Sequence, residues 1–372
     1  MKREELRTPC YVIMESEMKK NLQILQEIRQ QSGCKILLAQ KAFSMYSCYP
    51  LIGEYLDGTT ASGLYEAKLG KECMGKENHI FSPAYREDEF EEVLANCEHL
   101  VFNSFSQLEK FGERAANAGK SVGIRVNPEC STQGEHAIYD PCAPGSRLGI
   151  LASEFPETLP SYVEGLHFHT LCEQNADALE ITLKAVEEKF GKWMKQLKWV
   201  NFGGGHHITR ADYDRELLIS CVRRIQDTYN VQVYLEPGEA VALNAGHLIT
   251  TVEDIVHNDI AVLDVSAACH MPDVIEMPYR PPLFDSGEAK EKEYTYLLGG
   301  PTCLAGDVIG SYSFDRPLKV GDRLTFGDMA IYTTVKNNTF NGMRLPDIVW
   351  ERESGECEIV KSFGYEDFKC RL

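Results

Sequence analysis

Four positions in this sequence carry side chains suited to chemistry, and each follows a short apolar run. In chain order they are Lys41, His169, the triplet Gly203, Gly204 and Gly205, and Glu236. A lysine among apolar residues has a lowered pKa, and its neutral amine can form a Schiff base with a carbonyl compound. A glycine triplet lets the backbone approach a phosphate and donate N–H groups to it. A histidine can stack on a planar ring, and a carboxylate at a strand end can hold a protonated ring nitrogen.

These positions can act together only if strands bring them to one place. Eight apolar or β-branched runs are predicted to be strands, at residues 35–40, 58–62, 78–82, 99–104, 121–127, 164–170, 199–203 and 231–236. Helical patterns lie between most of them, and this alternation predicts an α/β fold, a (β/α)8 barrel of the TIM type. A doubly wound open sheet is the competing architecture. In such a barrel the carboxyl ends of the strands gather at one face, where the chemistry takes place.

Two helical segments are well defined by their patterns. Residues 106–119 have Ser106 as a possible N-cap and Gly119 just past the end. Residues 176–198 carry an apolar stripe at helical spacing, formed by Leu179, Leu183, Val186, Phe190, Trp193 and Leu197. A stripe of this kind is typical of a helix that packs on a core.

The pattern changes after Glu239. Helical spacing disappears, and short β-like runs follow at residues 247–256, 260–265, 293–298, 323–326 and 357–361. The sequence therefore predicts a barrel domain over residues 1–245 and a mostly β domain over 246–372, and the first ten or so residues could pack with the second domain.

Composition excludes several classes of protein. The 38 basic and 56 acidic residues give a net charge of −18, which opposes non-specific nucleic-acid binding and attracts cations such as polyamines. No apolar run is long enough to span a membrane, and the N-terminus has no signal-peptide core. The 13 cysteines are scattered without a CxxC pair, which favours reduced thiols in the cytoplasm.

The order of the strand-end residues resembles the fold-type III pyridoxal-phosphate decarboxylases, which include ornithine and diaminopimelate decarboxylases. Residues 300–303 (Gly-Pro-Thr-Cys) with Asp307, and residues 328–333 with Thr-Phe-Asn-Gly at 339–342, are similar to two further family motifs. The resemblance extends from Thr8 to about Gly342. Residues 165–174, 201–207, 236–240 and 270–273 are most similar to the branch of carboxynorspermidine and carboxyspermidine decarboxylases.

This resemblance implies roles for individual residues. Pyridoxal 5'-phosphate would be carried by Lys41, and the other residues implied to bind it are His169, Gly203, Gly204, Gly205, Glu236, Tyr332 and Arg125. Cys303 would act as general acid in the active site of the other subunit, which implies a homodimer with shared sites. The residues implied to bind a polyamine-type substrate are Glu239, Asp273, Asp307 and Arg147, although Arg147 could equally meet the cofactor. No metal is implied.

Two positions depart from the wider family pattern. Glu239 stands where the family has a phosphate-binding arginine, and Cys172 stands where a serine often occurs. The phosphate would then depend on the glycine triplet, Tyr332 and Thr170. A carboxylate at position 239 would repel phosphate but attract a cationic amine, which favours a polyamine-like substrate.

Three alternatives remain open from the sequence. The first is decarboxylation of another basic amino acid, of the ornithine, arginine or diaminopimelate type. The second is a metal-dependent hydrolase, in which His167 and His169 at a strand end, with His206 and His207, bind zinc. The third is a non-catalytic pyridoxal-phosphate-binding protein, although proteins of that kind are single barrels without a β domain.

Overall fold

The computed structural model describes residues 1–134 and 137–372 and contains two compact units. One unit is Asn21–Val241, and the other combines Met1–Lys20 with Ala242–Leu372. The barrel domain was predicted to span residues 1–245, with the first ten or so residues able to pack with the second domain. The structure assigns the first twenty residues elsewhere because strand β1 (Cys10–Met14) pairs with strands formed by residues 246–256 and 347–351.

The unit Asn21–Val241 contains a closed barrel of eight parallel strands. The strands are β2 (Lys35–Ala39), β3 (Gly58–Ala61), β4 (Glu77–Phe81), β5 (His99–Phe102), β6 (Ser121–Arg125), β7 (Val163–His167), β8 (Trp199–Asn201) and β9 (Gln232–Leu235). Each coincides with one of the eight predicted runs. The barrel prediction is therefore confirmed, and the open-sheet alternative is wrong.

Helices precede or follow most of these strands along the chain. They are α1 (Glu15–Ser32), α2 (Tyr49–Tyr55), α3 (Leu64–Cys73), α4 (Phe90–Asn96), α5 (Phe105–Asn117), α6 (Ala176–Met194), α7 (Arg215–Tyr229) and the short α8 (Glu239–Ala242). The cap of α5 is Ser104 and not Ser106, since the Ser104 side chain accepts a hydrogen bond from Gln107 N at 3.2 Å. Gly119 follows α5 with φ +74°, as a helix end requires. The predicted apolar stripe of 176–198 is buried along its whole length.

The interior of the barrel is packed below its open end. Leu37, Val101, Trp199 and Tyr234 form a buried cluster there. The indole of Trp199 fills the space beside Gly165, where an added Cβ would come within 1.9 Å of the ring. Beneath this layer the carboxylate of Glu77 accepts hydrogen bonds from Lys35 Nζ at 2.6 Å and from the Tyr234 hydroxyl at 2.8 Å. Glu77 is grouped there with His79 and His99, and Nδ1 of each of these two histidines is buried with no hydrogen-bond partner among the described residues.

The other unit is built on one sheet. Its strands are β1, β10 (Gly246–Val256), β11 (Ile260–Leu263), β12 (Tyr294–Gly299), β13 (Val308–Phe314), β14 (Arg323–Phe326), β15 (Asp347–Glu351) and β16 (Cys357–Lys361). The order is β13-β12-β11-β10-β1-β15-β16, and β14 also pairs with β10. The predicted β character is confirmed.

Short helices in the same unit correct the expectation that helical structure ends after Glu239. They are α9 (Ala267–His270), α10 (Asp273–Glu276), α11 (Thr333–Lys336) and α12 (Tyr365–Lys369). Helices of four or five residues are too short to show a helical period, so the sequence pattern did not reveal them. Within the described residues, no helix is both long enough and apolar enough to cross a membrane.

Candidate active site

A pocket of about 390 Å³, counting the space open to solvent, lies at the carboxyl ends of the barrel strands. The lining residues are Ala39, Lys41, Thr60, Ala61, Ser62, Phe81, Arg125, His167, His169, Gly204 and Glu236. Five of the predicted site residues are thus in one pocket.

Lys41 follows β2 and extends into this pocket, where it keeps contact with solvent. The surrounding barrel wall desolvates the amine, and the positive charge of Arg125 adds to this effect, so the pKa of Lys41 is lowered. No hydrogen bond or ion pair is found for the amine within 1–134 and 137–372. A lysine with a lowered pKa and no partner is suited to nucleophilic attack on a carbonyl group.

Glu236 is a buried carboxylate held by two neighbours. Its Oε1 accepts a hydrogen bond from Asn201 Nδ2 at 2.8 Å, and its Oε2 lies 3.2 Å from His167 Nε2. Burial alone would raise the pKa of Glu236, but His167 and the hydrogen bond from Asn201 outweigh it and lower the pKa to about 2. The carboxylate is therefore ionised at neutral pH and points into the pocket.

His167 was predicted as a site residue only in the metal-hydrolase alternative, and Asn201 was not predicted. Side chains alternate along a strand, so His167 must face the same way as His169, and Asn201 the same way as Gly203. Both residues could have been predicted, because each lies two positions before a predicted site residue.

His169 has a fixed orientation. Its Nδ1 accepts a hydrogen bond from Gly204 N at 2.9 Å, and its carbonyl oxygen accepts one from Arg125 Nη2 at 3.2 Å. Burial and the nearby charges of Lys41 and Arg125 hold the pKa of His169 well below its ordinary value. The ring is therefore a neutral, immobilised plane on the wall of the pocket, as stacking on a cofactor ring requires.

The glycine triplet is sterically required. A Cβ at Gly204 would come within 2.3 Å of the Glu236 carbonyl oxygen, and one at Gly205, which has φ +80°, within 1.9 Å of the Leu171 carbonyl oxygen. Two of the three N–H groups already have acceptors in the barrel, since Gly203 N donates to Asn201 Oδ1 at 2.8 Å and Gly204 N donates to His169. The triplet thus offers a phosphate mainly a close approach of the backbone and the N–H of Gly205, and not three converging donors.

The two predicted arginines differ in their surroundings. Arg125 ends β6, is buried, and lies with its guanidinium 4.4 Å from the centre of the Phe81 ring. Burial lowers the pKa of Arg125 to about 10, which leaves it positively charged. Arg147 is exposed and does not line the pocket, and its carbonyl oxygen accepts a hydrogen bond from Asn103 Nδ2. Its predicted contact with substrate or cofactor stays a prediction.

Glu239 lies beside a histidine. His207 Nε2 is 2.7 Å from Glu239 Oε2, and the Glu173 carboxylate is in the same group, with all three ionisable atoms within 4.8 Å of one another. Glu239 also contributes to the electrostatic environment of Lys41. Glu239 was predicted to bind substrate, whereas the position of His207 beside it follows only from the fold.

In the sheet unit, Cys303 and Asp307 belong to one loop. Cys303 is exposed, and its N–H donates to Asn341 Oδ1 at 2.9 Å. Asp307 is buried, and its carboxylate accepts hydrogen bonds from the hydroxyls of Ser266 (2.9 Å) and Thr302 (2.6 Å) and from the Ala268 and Thr302 N–H groups. Each carboxylate oxygen of Asp307 therefore accepts two hydrogen bonds, and these bonds hold the loop that contains Cys303. No acceptor position of Asp307 is left free for the predicted contact with substrate.

Asp273 and Tyr332 are the other two predicted site residues of the sheet unit. Asp273 begins α10 and is paired with Lys336 of α11, whose Nζ is 2.5 Å from Asp273 Oδ1. A substrate amine at Asp273 would therefore have to compete with an internal ammonium. Tyr332 is half-buried and has φ +53°, an uncommon backbone conformation for a residue with a side chain that is often found at functional sites.

A barrel with a strand-end lysine, an immobilised neutral histidine and a buried carboxylate, followed by a sheet domain, defines the barrel class of pyridoxal-dependent decarboxylases. Residues 10–330 match the model of the family described as pyridoxal-dependent decarboxylase, C-terminal sheet domain, and the chain belongs to this family.

Two related proteins and one crystal structure indicate which decarboxylases of this family the chain resembles most. The chain is 47% identical to the carboxynorspermidine/carboxyspermidine decarboxylase of Campylobacter jejuni, with 99% of each covered. It is 41% identical to the carboxyaminopropylagmatine decarboxylase of Synechocystis sp., with 99% of this chain and 96% of that protein covered. The crystal structure of carboxynorspermidine decarboxylase from C. jejuni complexed with norspermidine matches with a TM-score of 0.92 at 46% identity, covering 99% of this chain and 100% of that one.

The metal-hydrolase alternative is wrong. The family is pyridoxal-dependent. Of the four histidines of this alternative, His167 and His169 have other partners, Glu236 and Gly204, whereas His207 lies in a group with Glu173 and Glu239. Among the described residues, His167 and His169 do not belong to a group of three His, Cys, Asp or Glu side chains with mutually close ligand atoms.

Proposed function

We propose that this protein removes carbon dioxide from carboxynorspermidine and carboxyspermidine, using pyridoxal 5'-phosphate, to give norspermidine and spermidine. The observation that carries this proposal is the 47% identity over 99% of both chains to a decarboxylase named for these two substrates. The acidic group formed by Glu173 and Glu239 near Lys41 supports it, since a carboxylated triamine carries ammonium groups beyond its α-carbon.

The pocket fits pyridoxal phosphate in the chemistry of its groups. Lys41 would bind the cofactor covalently, and the neutral ring of His169 would lie against the pyridine ring. The ionised carboxylate of Glu236 would accept a hydrogen bond from the ring nitrogen. The glycine turn leaves room that a Cβ would fill, and Thr170 contributes a buried hydroxyl for which no partner is found in the described residues. The phosphate-binding role of Tyr332 stays a prediction.

The bound cofactor supplies an electron sink for the pair of electrons left when carbon dioxide departs. The residues of the chain then control protons and charge. Glu236 would keep a proton on the ring nitrogen of the bound cofactor, because His167 and Asn201 hold its carboxylate ionised. Arg125 keeps a fixed positive charge at the wall of the pocket. Cys303 of the partner subunit would donate a proton to the α-carbon in a homodimer with shared sites.

The substrate is tested by comparing kcat/KM across five compounds. These are carboxynorspermidine, carboxyspermidine, carboxyaminopropylagmatine, meso-diaminopimelate and ornithine. We expect the kcat/KM values of carboxynorspermidine and carboxyspermidine to differ by no more than about 200-fold, because these substrates differ by one methylene. Higher kcat/KM for carboxyaminopropylagmatine, as the name of the Synechocystis relative would suggest, or for an amino acid without a distal amine chain, would contradict the proposal.

Cys303→Ala tests the proposed shared site. We expect turnover to fall roughly 10²-fold, since a general acid contributes about 10²–10⁴-fold, and an aldehyde side product to appear from protonation at the wrong atom. Equal amounts of Cys303→Ala and Lys41→Ala, allowed to exchange subunits, should recover about a quarter of the wild-type sites in hybrid dimers. Exchange shown by mass labelling without any recovered activity would place Cys303 and Lys41 in the same subunit's site.

Glu239→Gln tests the amine-binding role. Removing one partner of a carboxylate–ammonium contact costs about 2–5 kcal/mol, so we expect KM for carboxynorspermidine to rise at least ~30-fold while the cofactor stays bound. Asp273→Asn is measured in parallel, and the exposed Glu188→Gln serves as a matched control. Loss of pyridoxal phosphate from Glu239→Gln with an unchanged KM would show that Glu239 serves the cofactor instead.

All 13 cysteines of the chain are free thiols, and eight of them are buried. Free thiols persist in a reducing compartment. This supports our proposal that the enzyme acts in the cytoplasm.

A further inference from the structure

Two histidines lie side by side in the lower part of the barrel, away from the carboxyl ends of the strands. His79 on β4 and His99 on β5 are directly paired on neighbouring strands, and their rings stack with centres 4.0 Å apart and 12° between the ring planes. Both rings have a nitrogen close to Glu77, the first residue of β4. His79 Nε2 is 2.8 Å and His99 Nε2 is 3.4 Å from the same carboxylate oxygen, Oε1. We call these three residues the floor triad.

Buried nitrogens of the floor triad lack partners. His79 is 1% exposed, and His99 has 14% of its side chain exposed. Nδ1 of each ring is buried with no hydrogen-bond partner among the described residues. His99 Nε2 faces Glu77 Oε1 without a hydrogen bond within the described residues, and Oε1 already accepts one from the Tyr234 hydroxyl at 2.8 Å. Because buried polar atoms without partners are uncommon in native proteins, the floor triad indicates a missing water or ion.

The donor atoms of the floor triad match those of a zinc site. Imidazole nitrogens and carboxylate oxygens are common zinc ligands, each about 2.0–2.2 Å from the ion, so ligand atoms around a tetrahedral ion are roughly 3.3 Å apart. In the floor triad two of the three separations are 2.8 and 3.4 Å, and each residue offers one ligand atom within 4.8 Å of the other two. Small turns of the stacked rings about their Cβ–Cγ bonds would therefore direct both lone pairs at one ion.

Two neighbours orient the Glu77 carboxylate. Lys35 Nζ is 2.6 Å from Oε2, and the Tyr234 hydroxyl donates to Oε1. Outer contacts of this kind fix the carboxylates that ligate metals. The positive charge of Lys35 opposes a second cation, but the side chains of Lys35 and Glu77 are 39% and 18% exposed, so solvent weakens this repulsion. The same exposure gives an ion access to the floor triad from the amino ends of the strands.

We propose that the floor triad binds one divalent transition-metal ion of the zinc type, with Glu77, His79 and His99 as ligands and water in the remaining position. The ion joins β4 to β5 and stabilises the folded barrel, because the unfolded chain does not hold the three ligands together. The floor triad lies away from the barrel face where chemistry takes place, so the ion has no part in turnover. The inference does not depend on the substrate of the enzyme.

The experiment is calorimetric titration of the chelator-treated holoenzyme with Zn²⁺ alone. We expect the wild type to bind one equivalent that His99→Gln binds at least ~100-fold more weakly, because even the loss of an outer contact lowers metal affinity about 10–100-fold. His207→Gln is the matched control, since His207 belongs to the other described group with close ligand atoms, together with Glu173 and Glu239. This control should keep the equivalent that His99→Gln loses.

Glu77→Gln provides a second variant in case His99→Gln does not fold. Its amide oxygen can still accept hydrogen bonds from Lys35 and Tyr234, but the anionic ligand is lost, so we expect the same loss of zinc binding. In thermal unfolding, Zn²⁺ at about 100 times its Kd should raise the Tm of the wild type by several degrees and leave that of Glu77→Gln unchanged. The inference is overturned if the wild type binds no equivalent of Zn²⁺, if both variants bind it as the wild type does, or if only His207→Gln loses it.

Discussion

Replacement of Lys41 by alanine is expected to abolish covalent binding of pyridoxal phosphate and to reduce turnover by roughly three orders of magnitude or more, as loss of a nucleophile does in other enzymes. Lys41 is the lysine that lines the barrel pocket, and its pKa is lowered by the surrounding wall and by Arg125. The variant should fold, because the amine makes no hydrogen bond or ion pair within the described residues. Removing it even relieves repulsion with Arg125.

The measurement is the visible absorbance of the purified protein, followed by borohydride reduction and peptide mass analysis, together with kcat/KM. Lys184→Ala is the matched control, because Lys184 is an exposed lysine of α6 that pairs with Glu180 at 3.4 Å. Thermal unfolding of both variants checks that they fold. If borohydride fixes the cofactor to a lysine other than Lys41, the assignment is wrong.

The barrel could be predicted from the sequence because its strands are buried on both faces. Each such strand is a short run of apolar or β-branched residues, and eight of them recur between helical patterns. The sheet unit was harder to predict. β1 and β15 pair in parallel although they are more than 330 residues apart in the chain, and no local pattern records such a pairing. Both strands do contain apolar runs, Tyr11–Val12–Ile13 and Ile348–Val349–Trp350, that could have been read as strands.

The candidate site also contains residues that could be predicted from the sequence and residues that could not. Lys41, His169 and Glu236 were found from the sequence because each lies within two residues of the end of a strand and has a distinctive side chain. What surrounds them could not be found in this way, because it depends on which strands are neighbours. For example, the N–H groups of Gly203 and Gly204 donate hydrogen bonds to Asn201 and His169, because the fold brings these side chains close to the glycine turn.

Asp307 and Asp273 illustrate a limit of motif position. Their places in the sequence match a family pattern, but a pattern does not record competing partners. Asp307 is saturated by hydrogen bonds from Ser266, Ala268 and Thr302. Asp273 is paired with Lys336, a residue that no sequence motif had singled out. Their predicted contacts with the substrate stay predictions.

Glu236→Gln is expected to lower kcat about 10²–10³-fold, the loss that follows removal of one preorganised electrostatic partner in a dry site. Because the pKa of Glu236 is about 2, its carboxylate carries a full negative charge throughout the working pH range, and it would hold the proton on the ring nitrogen. Glutamine is neutral and cannot do so. If kcat of the wild type falls as the pH is lowered towards ~4, this fall should therefore not arise from protonation of Glu236.

The fold should tolerate this substitution. The introduced glutamine would keep one oxygen to accept the hydrogen bond from Asn201, and its new N–H₂ group would face His167. The His167 ring can change tautomer and accept that hydrogen bond at Nε2, since its Nδ1 is buried and has no partner among the described residues to fix the proton. Thermal unfolding within a few degrees of wild type, with cofactor bound and kcat reduced, would therefore isolate the charge. An unchanged kcat in a variant that retains pyridoxal phosphate would show that Glu236 does not control the charge of the cofactor ring.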